Sequence, residues 1–257
     1  MHILLTKDDG INAPGLGALE RIARALSPQR ITIVAPEYDQ SGVAHSLSLN
    51  DPLRVREVAE GRFAVKGTPT DCVIMAIHHI LGGQRPDLVL SGVNRGHNVA
   101  EDITYSGTVA GAMEGVILGV PSIALSQSYM SGDRESVPWA TAETHAPPLI
   151  RRILDAGVSP STLMNINFPN CGPDDVTGVR VCSKGKRDAA LLKIEERRDG
   201  RHIPYYWIGF ERQRSTPAEG SDLAALAQRK VAVTPLRVDL TDYAALGRFA
   251  DNLDTAP

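Results

Sequence analysis

What most constrains the fold of this chain is a series of short apolar runs, rich in branched residues and separated by helical stretches: Ile3 to Leu5, Ile31 to Ala35, Leu88 to Leu90, Ser122 to Ser126 and Leu163 to Phe168. A strand with one face in water alternates apolar and polar residues, whereas a strand covered on both faces is apolar throughout. These runs are of the second kind. They predict an α/β fold, an open, doubly wound, mostly parallel sheet with a Rossmann-like core and helices on both faces. At 257 residues the chain is long enough for one large α/β domain. It reads as a single domain over residues 1–257, with the α/β core in 1–170 and a C-terminal extension in 171–257.

Helix signals fall between the runs. From Gly15 onward, Leu16, Leu19, Ile22, Ala23 and Leu26 share one helical face. Thr68-Pro69-Thr70-Asp71 supplies a capping hydroxyl, a proline at the first helical position and an acid in the first turn, and Gly82-Gly83 ends that helix. A third helix, about Thr108 to Leu118, carries Ala110, Gly111, Ala112 and Gly115, small enough for very close approach to a neighbour. Pro147-Pro148 is read as opening a fourth. Beyond Asn170 the rhythm changes to a charged stretch from Lys184 to His202, then Tyr205-Tyr206-Trp207-Ile208, a short helix near Leu223 and a strand at Val231 to Thr234. That segment is expected to be an arm that packs on the core or on a second subunit.

Composition excludes several classes. With 27 basic against 30 acidic side chains, the net charge of −3 gives no field for a polyanion, so no nucleic acid polymer is expected as a partner. Cys72, Cys171 and Cys182 are odd in number, widely spaced and without a CxxC pair, which suits a reducing compartment. The apolar run at the N-terminus is too short for a signal peptide, and Val109 to Leu125 is interrupted by Glu114 and Pro121. A cytoplasmic protein without a membrane partner is expected.

In an open parallel sheet the ligand crevice lies beyond the carboxyl ends of the strands. Strand one runs into Lys7-Asp8-Asp9-Gly10, strand two into Asp39-Gln40-Ser41-Gly42, and the third into Ser91-Gly92-Val93-Asn94-Arg95-Gly96. Each motif alone is ordinary turn chemistry. Together, at the same end of successive strands, Asp8, Asp9, Ser41 and Asn94 form a hard oxygen donor set suited to one divalent cation, Mg²⁺ or Mn²⁺. A second constellation, Tyr105-Ser106-Gly107-Thr108, opens the small-residue helix, where free N–H groups and the helix dipole favour a phosphate; a plain hydroxyl N-cap is its simpler reading. There is no P-loop, GxGxxG, GxSxG or HExxH motif. His78-His79 reads as one packed and one exposed histidine, His45 and His97 as loop histidines near the site, and Lys184 to Arg187 and Glu195 to Arg201 as solvated loop charge.

The chain resembles the SurE survival-protein family of metal-dependent nucleotidases over nearly its whole length. The resemblance is carried by Ile3-Leu4-Leu5-Thr6 with Asp8-Asp9-Gly10 and Ala13-Pro14-Gly15; Val34-Ala35-Pro36 with Ser41-Gly42; and Gly67-Thr68-Pro69-Thr70-Asp71-Cys72. It continues in Ser91-Gly92-Val93-Asn94 with Gly96 and Asn98, Tyr105-Ser106-Gly107-Thr108-Val109-Ala110, Asn165-Ile166-Asn167-Phe168-Pro169, Tyr206-Trp207-Ile208-Gly209 and Thr234-Pro235-Leu236. It implies a divalent metal on Asp8, Asp9, Ser41 and Asn94, substrate phosphate at Asn98, Ser106, Gly107 and Thr108, and a homodimer or homotetramer with exchanged C-terminal arms. The implied activity is hydrolysis of nucleoside 5′- and 3′-monophosphates, and of polyphosphate in some members. Asp8 or Asp9 would be the catalytic carboxylate, either positioning water or, for Asp8, as a covalent nucleophile. One position departs from the pattern: the family has asparagine before the two aspartates, and here it is Lys7. An ammonium beside the metal would weaken metal binding unless it points away, which leaves a non-catalytic nucleotide-binding stress adaptor as the alternative function.

Overall fold

The computed structural model describes residues 1–130, 136–187, 192–210 and 216–253. Strand β1 (Ile3–Thr6) leads through helix α1 (Pro14–Leu26) to β2 (Ile31–Pro36), and a hairpin of β3 (Val55–Ala59) and β4 (Arg62–Val65) follows. Helix α2 (Pro69–Met75), continued by a π-helical turn at Ala76–Ile80, returns the chain to β5 (Leu88–Arg95). The short α3 (Asp102–Tyr105), α4 (Gly107–Ile117), β6 (Ser122–Gln127), α5 (Trp139–Ala156) and β7 (Thr162–Phe168) complete the core. Then come β8 (Gly178–Val181), β9 (Leu192–Arg198), β10 (Pro204–Phe210), α6 (Asp222–Ala227), β11 (Lys230–Arg237) and α7 (Tyr243–Leu253).

The large sheet runs β3-β4-β2-β1-β5-β6-β7-β11-β8. Its six inner strands, β4 through β7 in that order, are parallel. Antiparallel pairs occur where β3 meets β4 and β11 meets β7. The doubly wound, mostly parallel architecture expected from the apolar runs is therefore present. Burial explains why it was visible: Ile3 and Leu5 pack with Leu16, Leu19 and Ile150 on one face, while Leu4 packs with Val73 and Ile77 on the other. With both faces covered, Ile3, Leu4 and Leu5 are fully buried, and only at the carboxyl end of the strand does a polar residue, Thr6, enter.

Several elements differ from expectation. Pro147 and Pro148 lie inside α5, which begins at Trp139. A proline removes one backbone bond from a helix interior, but Thr141, Ala142, Ala146, Leu149 and Ile150 are buried on either side of the pair and hold the helix together. Both His78 and His79 are exposed, on the π-helical turn. The charged stretch expected as loop contains β9, whose partner β10 is the aromatic run, paired from Arg198↔Pro204 to Leu192↔Phe210. On each of its faces opposite charges two residues apart sit beside one another, Arg197 on Glu195 and Arg198 on Glu196. Residues 188–191 of that stretch lie outside the described residues.

The small-residue helix α4 approaches the sheet as closely as its composition predicts. A methyl group on Gly111 would sit 2.9 Å from Ser91 Oγ and Thr6 Cγ2, and one on Gly115 would sit 2.2 Å from Ser122 Oγ. Strand β5 runs on to Arg95 rather than ending at Leu90, with its register against β6 breaking between Ser91 and Asn94. Gly92 sits at that break with φ +139°, where a side chain would meet the Leu125 carbonyl at 2.3 Å. The irregularity turns Asn94 toward the carboxyl edge.

Candidate active site

The chain winds outward from β1 to β2 and the hairpin, then returns to β5 on the other side of β1. That reversal is the topological switch point, and the crevice it leaves is where an open α/β sheet binds ligand. A cleft of about 360 Å³ lies there, walled by Asp8 and Asp9 after β1, Asp39, Ser41 and Gly42 after β2, Asn94 to Asn98 at the end of β5, and Tyr105 and Ser106 before α4. The separate strand ends read from the sequence thus converge on one cavity.

Lys7 lies behind this lining, in contact with Asp8, Asp9 and Asn94 but not itself part of the cavity wall. The side chain is fully buried and turns toward the aspartates. Its ammonium donates to Asp8 Oδ1 at 2.5 Å and to Asn94 Oδ1 at 3.0 Å, and pairs with Asp9 Oδ2 at 2.8 Å. Three of the four residues read as metal ligands are therefore gathered around one nitrogen. The fourth, Ser41, donates its hydroxyl to Asp39 Oδ1 at 2.6 Å and to Asp9 Oδ1 at 3.3 Å. Burial pushes the Lys7 amine down, but Asp8 and Asp9 beside it overcome that, and the net direction is up. For Asp8, burial acts upward and is outweighed by Lys7 and the Thr108 hydroxyl, leaving the carboxyl below its ordinary value. The charged form of both groups is the stable one.

Helix α4 brings the anion-binding end. Ser106, which lines the cleft, caps it by accepting from the Val109 N–H; Gly107 and Thr108, which are not themselves part of the lining, follow in the first turn, where a helix leaves N–H groups without internal partners. Gly107 lies against Asp8, a methyl there being 2.8 Å from Asp8 Cβ. The structure places the Thr108 hydroxyl on Asp8 Oδ1, at 2.6 Å and fully buried, so its side chain supports the aspartate and only its backbone is available for phosphate. Asn98 lines the cleft and is fixed by a buried amide network: its N–H donates to Asn167 Oδ1 and its Nδ2 to Ser126 Oγ, while Asn165 and Asn167 donate to its carbonyl.

The cleft wall also carries Asp39, Arg95, Asp102 and Tyr129, to which sequence reasoning assigns no role, together with His97, read there as a loop histidine near the site, and Tyr105, read as part of the segment opening α4. Asp39 and Arg95 stand in the same strand-end segments as the chosen residues, and that position was the available signal. A second hollow of about 410 Å³ shares Asp9, Asp39 and Arg95 with the first and adds Pro14 and Trp139. Nor is Arg187 solvated loop charge. It grips Asp102 with two hydrogen bonds of 3.1 and 2.7 Å and reaches the Val99 carbonyl at 3.3 Å, tying the C-terminal extension to the cleft wall. His45 is likewise engaged, with Glu114 of α4 at 2.8 Å. Among the described residues no group of three or more His, Cys, Asp or Glu side chains is disposed to hold a metal, and no helix is long and apolar enough to cross a membrane.

Comparison with known proteins agrees with the motifs. Residues 3–190 match the family model described as survival protein SurE. The protein called 5'-nucleotidase SurE in Methylorubrum extorquens strain PA1 is 61% identical over 250 residues, 97% of this chain and 98% of that protein. Its namesake in Methylobacterium sp. strain 4-46 is 62% identical over 253 residues, covering 98% and 100%. A crystal structure of the SurE protein from Aquifex aeolicus superposes with a TM-score of 0.83 at 38% identity, over 99% of this chain and all of that one.

Proposed function

From the premise that this chain belongs to the SurE survival-protein family, we propose that it is a phosphomonoesterase hydrolysing nucleoside 5′-monophosphates to nucleoside and phosphate. The observation that carries the reading is the meeting of two carboxylates, an amide and the N-terminus of α4 in one cleft at the switch point. Hydrolysis of a phosphate ester needs a held phosphoryl group, an oriented water and stabilisation of the charge on the phosphoryl oxygens.

The backbone N–H groups of Gly107 and Thr108 hold phosphoryl oxygens at the positive end of α4, and Asn98 and Arg95 reach the same cavity from its wall. Asp9, whose side chain is 15% exposed against 6% for Asp8, faces the cleft and orients the attacking water. Asp8, deeper and engaged by Lys7 and Thr108, anchors the arrangement. The family resemblance adds one Mg²⁺ or Mn²⁺ on Asp8, Asp9, Ser41 and Asn94. The donor types suit such an ion, but the place where three of them converge holds the Lys7 ammonium, and the set as arranged does not fit a divalent ion alongside it.

The wider range implied by the resemblance, 3′-monophosphates and polyphosphate, belongs to the same reading, as does a homodimer or homotetramer. Assembly is supported by β10, where Tyr205, Tyr206, Trp207 and Ile208 are all exposed, a run more suited to an interface than to water. The test is phosphate release from a panel of 5′- and 3′-nucleotides and polyphosphate, with Asp9→Asn as control. Release that falls by about 100-fold or more in the variant is expected. Nucleotide binding without release from any substrate would establish the adaptor function instead.

A further inference from the structure

A buried lysine is unusual unless its charge is fully matched. Lys7 satisfies that condition through three oxygens, each within 3.0 Å of Nζ, contributed by the ends of two adjacent strands. The geometry is that of a cation site already filled. Lys7 also stands in the chain immediately before two of the groups it bridges, so its reach is set by the backbone of β1 rather than by a mobile loop.

We propose that the Lys7 ammonium is the resident cation of this centre, holding Asp8, Asp9 and Asn94 together in place of a divalent metal ion. The inference rests on assigning these residues to the candidate active site, and it deepens that reading by specifying which cation the site uses. A divalent ion entering the set must either displace a side chain with no exposed surface or sit a few ångströms from a like charge in a partly desolvated cavity, where repulsion is screened least. Either route opposes uptake. Removing the ammonium leaves two adjacent carboxylates, a side-chain amide and the Ser41 hydroxyl, which is a vacant hard-oxygen site. Lys7→Asn is then a gain of metal binding rather than a simple loss.

The test is Mn²⁺ binding followed by electron paramagnetic resonance on full-length protein stripped with EDTA and desalted, comparing wild type with Lys7→Asn. The expected result is that the variant binds one Mn²⁺ at least about tenfold more tightly than wild type. Equal or tighter binding by wild type would overturn the proposal. Should Lys7→Asn fail to fold, the wild-type protein decides alone: a dissociation constant above about 100 μM supports a resident ammonium, and one below it refutes it. A metal titration does not require turnover, so phosphate release from a nucleoside 5′-monophosphate, measured on the same wild-type sample, reports separately on the nucleotidase reading.

Discussion

Replacing Arg187 with alanine removes the clasp between the C-terminal extension and the wall of the cleft. Arg187 is 11% exposed and makes two charge-assisted bonds to Asp102 and one to the Val99 carbonyl. Hydrogen bonds to charged groups contribute about 1.5–3 kcal/mol each, and bonds sharing one side chain are not additive. Taking about 2 kcal/mol for the clasp as a whole gives a roughly 30-fold shift toward the open form of the segment. The amides of Asp102 and Thr104, bonded to the Val99 and Glu101 carbonyls, should lose about that factor of protection in hydrogen exchange if opening is local. KM for a nucleotide should rise several-fold with a smaller change in kcat, because Asp8, Asp9 and Asn94 are held by Lys7 on the other side of the cleft. Arg187→Lys, which cannot chelate both carboxylate oxygens, should fall between. Unchanged exchange across residues 96–104 in Arg187→Ala would show that the wall stands without the clasp.

Other perturbations follow from the same contacts. Thr108→Val deletes the buried bond to Asp8 while keeping shape, and urea unfolding should show a loss of about 1.5–3 kcal/mol; a loss below about 0.5 kcal/mol would mean that the hydroxyl does not serve Asp8. Gly115→Ala must push against Ser122 and Val89, and the overpacking should cost about 1–3 kcal/mol, seen as a lower Tm. At acid pH the informative group is Glu20, whose carboxyl lies below its ordinary range because Arg24 and Arg62 outweigh the opposing effect of burial. Its stabilisation is complete above the unfolded-state value of about 4.3 and is lost as pH falls through the lower folded-state value. Glu20→Gln should therefore reduce stability at pH 7 by about 1 kcal/mol or less while flattening the decline below about pH 4. A parallel decline in wild type and variant would exclude that linkage.

How far the sequence could be read depended on what each segment packs against. Strands β1, β2, β6 and β7 are covered on both faces, and their continuous apolar runs announce them. Edge strand β3, Val55-Arg56-Glu57-Val58-Ala59, is exposed at four successive positions, so neither face demands an apolar pattern, and its four-residue partner β4 is too short to stand out alone. Strand β9 was hidden for a related reason: its stability comes from the ladder to β10 and from charges lying beside one another, a pattern that a charged loop shares. In the cleft, residue type and strand-end position were enough to select Asp8, Asp9, Ser41 and Asn94. They could not give the direction of Lys7, which depends on how β1 ends, or of the Thr108 hydroxyl, which turns inward to Asp8. Arg187 is unreadable because its partners Asp102 and Val99 lie 85 and 88 residues earlier in the chain.

The glycine face of α4 has a consequence for how the site can change over time. Where two elements meet through long side chains, a shift of an ångström is absorbed by other rotamers, and drift in one partner is met by drift in the other. Here the helix's side of the meeting surface is bare backbone, and the other side is short and branched or hydroxylated side chains, Thr6, Val89, Ser91 and Ser122, with the β-carbon of Asp8, so the spacing between the helix end and the carboxylates has few adjustable parts. Heating or mutation elsewhere can loosen the periphery without moving these groups relative to one another. The same stiffness closes a route of adaptation: a lineage that needs a wider or narrower phosphate seat cannot obtain it by resizing this contact, and must alter the loops at the mouth instead.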